Sequence, residues 1–413
     1  MKTTRTDKKA IIFVLLFFIF ASLTFAESSF SGYAGVKGDF YSDPTEEDFD
    51  PALNIQGYFA GQLNITPSLL IRLEFSIETD DIIENGPFGD EGIGSHFFID
   101  EISLTYIKPF MGITQNFSLF FGTFEPIGSD IFLQRQFGIK PISSLITESW
   151  LGLRGSTVYS FQGAGGSYIV HLNSAPIATG LYLYFNDENV EEENQTNIDW
   201  RFASVLPYLA VDFSIGLGAP MAQKQGNEDV IVLVNSLYLH SGITLLVGNT
   251  YSSSLFAQAG FSNLQIKAGN TDYELSEKDL YFLFEPRLVT KKFQAHLAMF
   301  SVPEDTVEKL IFIEDTFGFN LDIFTDNLYA KNKNITFGIH TTWSFDTYIK
   351  SFFKNIGDFV SDSNNFRVKI SPFVGIPVMG GTLHAMFQAT ITDIKADTWK
   401  QAFKLSVGYK NRI

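Results

Sequence analysis

Cysteine is absent from all 413 residues. That excludes a disulfide framework and a lipid-modified N-terminal cysteine. Long apolar runs are scarce as well. Beyond the N-terminus no stretch reaches 18 consecutive apolar residues, so no further transmembrane helix is expected. Basic charge is in short supply, with 29 Lys and Arg against 46 Asp and Glu. So acidic a chain repels nucleic acid, and no nucleic-acid partner is expected. Catalytic signatures are missing too: there is no G-x-S-x-G, Walker A loop or H-E-x-x-H. The histidines His96, His171, His240, His296, His340 and His384 are scattered, and none has a ligand partner at a diagnostic spacing. The reading is therefore of a non-enzyme without metal, cofactor or catalytic residues.

What is present begins at the N-terminus. Lys2, Arg5, Lys8 and Lys9 precede an almost unbroken apolar run to Ala26, which ends in Thr24-Phe25-Ala26. That is the pattern of a secretory signal peptide, 1–26, cleaved after Ala26. The run is short for a membrane anchor of about 20 residues. Removing it takes four basic residues and one acidic residue, leaving 25 basic against 45 acidic and a net charge of −20. Residues 27–413 contain no linker-like stretch and read as a single domain.

Phenylalanine occurs 43 times although no long apolar run exists, so the apolar residues must be spread out. They fall at every second position. In 53–65, Leu53, Ile55, Phe59, Leu63 and Ile65 alternate with Asn54, Gln56, Gln62 and Asn64. In 69–78, Leu69, Ile71, Leu73, Phe75 and Ile77 alternate with Arg72, Glu74, Ser76 and Glu78. Windows 334–345, 382–392 and 403–413 repeat the pattern. A period of two means strands with one apolar and one polar face. The windows are longer than the usual strand of about 5–6 residues and near the 9–11 needed to cross a bilayer at a tilt. Short turns (66–68, 380–381) alternate with long acidic loops (42–51, 80–94, 186–197). The 186–197 run lacks the residue order of a calcium loop and reads as solvated.

The expected fold is all-β: an antiparallel transmembrane β-barrel of about 16 strands, within a range of 14–18. Residues 165–186 are read as one long bulged strand, which keeps the acidic 186–197 loop on the outer side. The 267–330 region is ambiguous in the same way. A short amphipathic helix is expected at 347–361 from the helical spacing of Tyr348, Ile349, Phe352, Phe353, Ile356, Phe359 and Val360. With the N-terminus on the inner side, Trp150 and Trp200 would begin inward-running strands, Trp343 would end an outward one, and Trp399 would begin the last. All four then form an outer aromatic girdle.

The final segment, with Phe403, Leu405, Val407 and Tyr409 alternating toward Ile413, resembles the closing strand of bacterial outer-membrane barrels. Ile413 stands where those proteins usually carry phenylalanine, and Asn411 interrupts the alternation. The resemblance implies an integral outer-membrane protein, with the lipid bilayer and the barrel-assembly machinery as partners. A looser resemblance to general diffusion porins implies a channel for small hydrophilic solutes or ions, a homotrimer, and a third external loop folded inward. Segment 128–148 is long and carries Arg135 and Lys140, unlike the acidic loops around it. Facing inward-pointing Arg72, Glu74 and Glu78, it would set a transverse field in a narrow pore. His340 is a further pore-lining candidate, and the acidic balance suggests weak cation preference. Two other functions fit a barrel. A transporter of hydrophobic compounds resembling the fatty-acid transporters would need an N-terminal hatch, for which a strand pattern starting near Phe30 leaves no room. An adhesin or structural barrel would act through its loops, which are short for the task.

Overall fold

The computed structural model describes residues 28–42, 50–85, 95–147, 158–159, 161–186, 194–222, 231–232, 236–249, 252–267, 276–307, 310–330, 333–354, 366–395 and 399–413. The expected signal peptide and Trp150 lie outside them. One antiparallel sheet runs through the chain. Its strands are β1 (Ser29–Ser42), β2 (Pro51–Thr66), β3 (Leu69–Thr79), β4 (Ser95–Phe110), β5 (Ile113–Gly122), β6 (Gly163–Leu172), β7 (Ile177–Asn186), β8 (Gln195–Leu206) and β9 (Leu209–Ala222). There follow β10 (Ile231–Val232), β11 (Ser236–Val247), β12 (Ser254–Lys267), β13 (Leu280–Val289), β14 (Gln294–Ser301) and β15 (Phe317–Ala330). The last are β16 (Lys333–Phe345), β17 (Phe366–Val378), β18 (Gly381–Thr390) and β19 (Phe403–Arg412). β10 is a two-residue ribbon that, among the described residues, pairs with the end of β9. The other eighteen form the wall, and β19 pairs back onto β1 from Tyr33↔Arg412 to Tyr41↔Lys404. Closure leaves no open edge, the condition for surviving without water at the strand borders.

Eighteen strands stand at the upper end of the expected range. The difference from sixteen arises partly at 165–186, which is two strands, β6 and β7, rather than one. Asn173-Ser174-Ala175-Pro176 makes the turn between them, a sequence rich in turn formers. Asn186 and Gln195, which flank the acidic run, nevertheless stand at the long-loop end, because the wall resumes only at Gly163; residues 187–193 lie outside the described residues. In the other ambiguous region the chain forms β13, β14 and β15.

The period-two pattern decides which face each side chain takes. Along β5, Phe117, Leu119 and Phe121 point out and are exposed, while Ser118 and Phe120 point in and are buried. On β1, Val36 and Phe40 are exposed while Lys37 and Asp39 are buried. The closing strand behaves alike, with Leu405 and Val407 outside and Ser406 inside. Phe403 stacks on Phe387, and the Tyr409 hydroxyl donates to the carbonyls of Val378 and Met379. Ile413 exchanges both backbone hydrogen bonds with Gly32.

The apolar core lies inside the barrel. Two connections at the long-loop end fold into the lumen. The first runs from Thr123 to Thr147 with a return at Val158, Tyr159 and Phe161, and its Phe124, Ile127, Phe132, Leu133, Ile142 and Ile146 are buried against the inner wall. The second, Val302–Thr316, adds Leu310, Phe312 and Ile313. Gly122 starts the first turn inward at φ +98°, where a Cβ would sit 2.4 Å from the Asp100 carbonyl oxygen. Gly242 on β11 makes room for the segment: a Cβ there would lie 2.5 Å from Ile127 Cγ2. The helix expected over 347–361 is present as Ile349–Lys354. Phe352 packs between Phe317 and Phe345 at ring distances of 4.7 Å, and Phe353 is exposed. Residues 355–361 lie outside the described residues.

Candidate functional site

The inner wall of β2 to β6 and the first in-folded segment enclose a cavity of about 390 Å³. Its polar lining comes from alternate positions of the wall strands, Gln62, Arg72, Thr105, Asn116 and Ser118, and from Glu125, Gln134, Arg135 and Gln136 of the segment. Leu70, Ile107, Phe124 and Ile169 supply its apolar part.

A short helix, Ile131–Phe137, carries Arg135 into the lumen. The helix ends at Gly138, whose left-handed φ of +64° turns the chain back. Asp130 stitches this turn together by accepting from the backbone amides of Ile142 (2.6 Å) and Ser143 (3.1 Å) and from the Gln134 side chain. Arg135 meets Glu101 on β4 at 2.7 Å and Glu125 at 3.5 Å. Burial opposes its charge, but Glu101, Glu125 and Glu74 outweigh that penalty and lift its pKa above the ordinary guanidinium value. Ser103 donates to the other Glu101 oxygen at 2.6 Å, and the Tyr182 hydroxyl donates to Glu125 at 2.6 Å. The group is therefore a paired charge network rather than isolated buried ions, although Arg135 Nη1 is buried without a hydrogen-bond partner.

Arg72 on β3 differs. Its Nε donates to Gln62 Oε1 at 2.9 Å, and among the described residues its terminal nitrogens make no hydrogen bond. Asn116 donates to Gln136 at 2.9 Å, while its Oδ1 is buried without a partner.

Behind this cavity one wall residue holds the segment. Arg201 on β8 is 2% exposed. It makes a two-pronged pair with Asp212 on β9. It also donates to the carbonyls of Glu125 at 2.6 Å and Ser129 at 3.4 Å, with the Phe132 ring 4.6 Å from its guanidinium carbon. Farther round, Arg287 donates to the Ser143 carbonyl at 3.1 Å, and Ser144 donates to Glu285.

Of the residues singled out from sequence, Arg72, Glu74 and Arg135 come together here: Glu74 lies within electrostatic reach of both arginines. Lys140 is exposed. Glu78 is farther along β3 and accepts from Gln56. His340 belongs to a separate cluster on β16, bonded to Asp322 and flanked by Phe312 at 4.0 Å and Phe373 at 4.7 Å. Trp343 stands at the long-loop end of β16, and Trp399 just before β19. Trp200 is the sixth of twelve residues in β8, exposed on the outer face, with its indole N–H donating to Thr179 at 2.9 Å. Glu101, Glu125, Arg201 and Asp212 were not identified from sequence. Arg201 and Asp212 do stand at polar-face positions on either side of the 207–208 turn, which was the available signal.

No family profile and no curated protein matches the sequence. Solved structures do resemble the fold. The Acinetobacter baumannii protein OccAB3 superposes with a TM-score of 0.50 at 8% identity, over 94% of this chain and all of that one. OmpF of Salmonella typhi, solved in complex with daunomycin, gives 0.42 at 12% identity over 94% and 97% of the two chains. A mutant porin of Rh. blastica gives 0.38 at 7% identity over 94% and 100%. At these identities the likeness concerns the fold: a closed, porin-like antiparallel barrel.

Proposed function

We propose that this protein is an integral outer-membrane channel for passive passage of small hydrophilic solutes or ions, narrowed by the first in-folded segment. The observation that carries the proposal is the division of the wall into two faces. Outside, Phe117, Leu119, Phe121, Leu181, Leu183 and Ile198 are exposed, with nothing among the described residues to cover them. Exposed apolar area on this scale is unfavourable in water and favourable in lipid. Inside, the facing positions carry Asn54, Gln56, Gln62, Arg72, Glu74 and Glu78, none of them fully buried, groups that suit a hydrated lumen. A barrel of eighteen strands is wide enough for an aqueous channel. The segment bearing Arg135 fills part of that width and sets charge across it.

In this reading residues 1–26 are an export signal. Phe403, Leu405, Val407, Tyr409 and Ile413 present the closing strand to the assembly machinery. Trp343 and Trp399 serve as the outer aromatic girdle, Trp200 meets lipid at mid-strand, and the barrels associate as trimers. The test is single-channel recording from the refolded mature chain in planar bilayers. Discrete current steps, with reversal potentials in a salt gradient showing weak cation preference, are expected. A folded barrel without steps contradicts the channel, and anion preference contradicts the selectivity.

A further inference from the structure

The cavity beside Arg72 is unevenly satisfied, and the mismatch specifies a solute. Arg135 is ion-paired with two carboxylates, Glu101 and Glu125, with its Nη1 left without a hydrogen-bond partner. Among the described residues Arg72 has a single hydrogen-bond partner, the neutral Gln62, which leaves its outer nitrogens toward the cavity as open donors. A guanidinium presenting two parallel N–H groups matches a carboxylate. Yet the surroundings do not suit a plain anion. Arg72 and Arg135 bring two positive charges, while Glu74, Glu101 and Glu125 within their reach bring three negative ones, a net of −1. Away from the two arginines, an acceptor is left open. Asn116 Oδ1 is buried and unpartnered, and Gln134 commits its amide nitrogen to Asp130. Glu125 adds negative charge to the same lining. A buried acceptor without a donor is costly, and a solute bearing N–H groups would relieve it.

We propose that this cavity is a binding site for a zwitterionic solute of amino-acid type, its carboxylate on Arg72 and its ammonium toward Asn116 and Glu125. An acid without the ammonium would meet three carboxylates with only one open cation. An amine without the carboxylate would leave Arg72 unmatched. The apolar wall of Leu70, Ile107 and Phe124 accepts a short side chain, and about 390 Å³ lies within the range of small-molecule sites, roughly 300–1,000 Å³. The site rests on the channel reading only for its biological use, since a folded barrel binds or does not bind regardless of current.

The test is equilibrium binding to the detergent-refolded mature chain by calorimetry, with three probes that differ in one charge each. They are L-glutamine, its analogue 4-carbamoylbutanoate without the ammonium, and L-glutamine methyl ester without the carboxylate. Glutamine is expected to bind tightest. Arg72→Gln should weaken it by roughly ten- to hundredfold, the loss of a charge-assisted contact. Asn116→Ala, a smaller change to the wall, should weaken glutamine while leaving 4-carbamoylbutanoate unchanged. Equal or tighter binding of either single-charge analogue overturns the proposal. So does unchanged binding in folded Arg72→Gln, or no binding to the folded wild type. Parallel bilayer recordings separate the two claims: current steps without glutamine binding remove the site alone, and binding without steps removes the channel alone.

Discussion

The two in-folded segments occupy one lumen but are held there by different forces. The first, around Ile131–Phe137, is fixed by buried charge: Arg201 with Asp212 from the wall, and Arg135 with Glu101. The second, 302–307 and 310–316, is held by aromatic contacts together with less deeply buried charge. Lys369 and Gln388 donate to the Ile311 carbonyl at 3.1 and 2.9 Å, and Phe312 lies on the His340 ring. Its ion pairs, Glu314 with Lys369 and Asp315 at 3.8 Å from Arg367, are more exposed than those of the first segment. Buried, hydrogen-bonded pairs tolerate salt and neutral pH but fail badly when one member is lost. Aromatic contacts fail in proportion to the area removed. The first segment should therefore behave as a fixed constriction, and the second as a softer insert.

The sharpest way to break that contrast is Arg201→Ala. It strands Asp212 and frees the Glu125 and Ser129 carbonyls, so docking of the first segment should weaken by about 3–5 kcal/mol. Single-channel steps should become larger and noisier while the heat-modifiable band of the folded barrel persists; unchanged current would refute the pin. Phe312→Ala should weaken the second segment by about 3 kcal/mol. Hydrogen exchange should rise across 310–316 and stay unchanged at 131–137, and a rise in both would show that the two are coupled. Gly242→Val pushes a side chain into the space of Ile127, costing about 1–3 kcal/mol of packing. The expected result is faster exchange in the first segment alone.

The smallest effect concerns pH. Burial, with Asp346, Glu314 and Asp393 nearby, lifts the Asp315 pKa to about 6 from 3.8, against the pull of Arg367. A carboxyl with a raised folded pKa favours the docked state when protonated. That contribution is complete below pH 4 and is lost as pH rises through 6. Protection of 310–316 should thus be higher at pH 4 than at pH 7, and Asp315→Asn should flatten the difference. An equal slope in that variant would place the titration elsewhere.

The wall was legible because it obeys one rule. Alternation such as Leu69-Leu70-Ile71-Arg72-Leu73-Glu74 assigns face and strand together. The reading failed where a strand had to be counted rather than recognised. The 165–186 stretch was taken as a single strand although Asn173-Ser174-Ala175-Pro176 marks a turn. The site was half legible. Arg72 and Glu74 stand on a clean polar face, and Arg135 stood out as basic within a long connection. Glu101 was hidden by a register shift between β3 and β4 at Glu74/Phe75, which upsets the parity around Asp100 and Glu101. Arg201 and Asp212 meet across a hairpin, and no spacing along one strand announces such a pair. Glu125 lies in a segment shaped by tertiary contacts, with no periodicity to read.

The most direct test compares single-channel currents of the mature chain with those of a variant whose residues 128–146 are replaced by a short Gly-Ser turn, both folded into the same bilayer. An open pore narrowed by this segment predicts discrete steps in both and markedly larger steps in the variant. Folded barrels that give no steps, or steps of equal size, would contradict it.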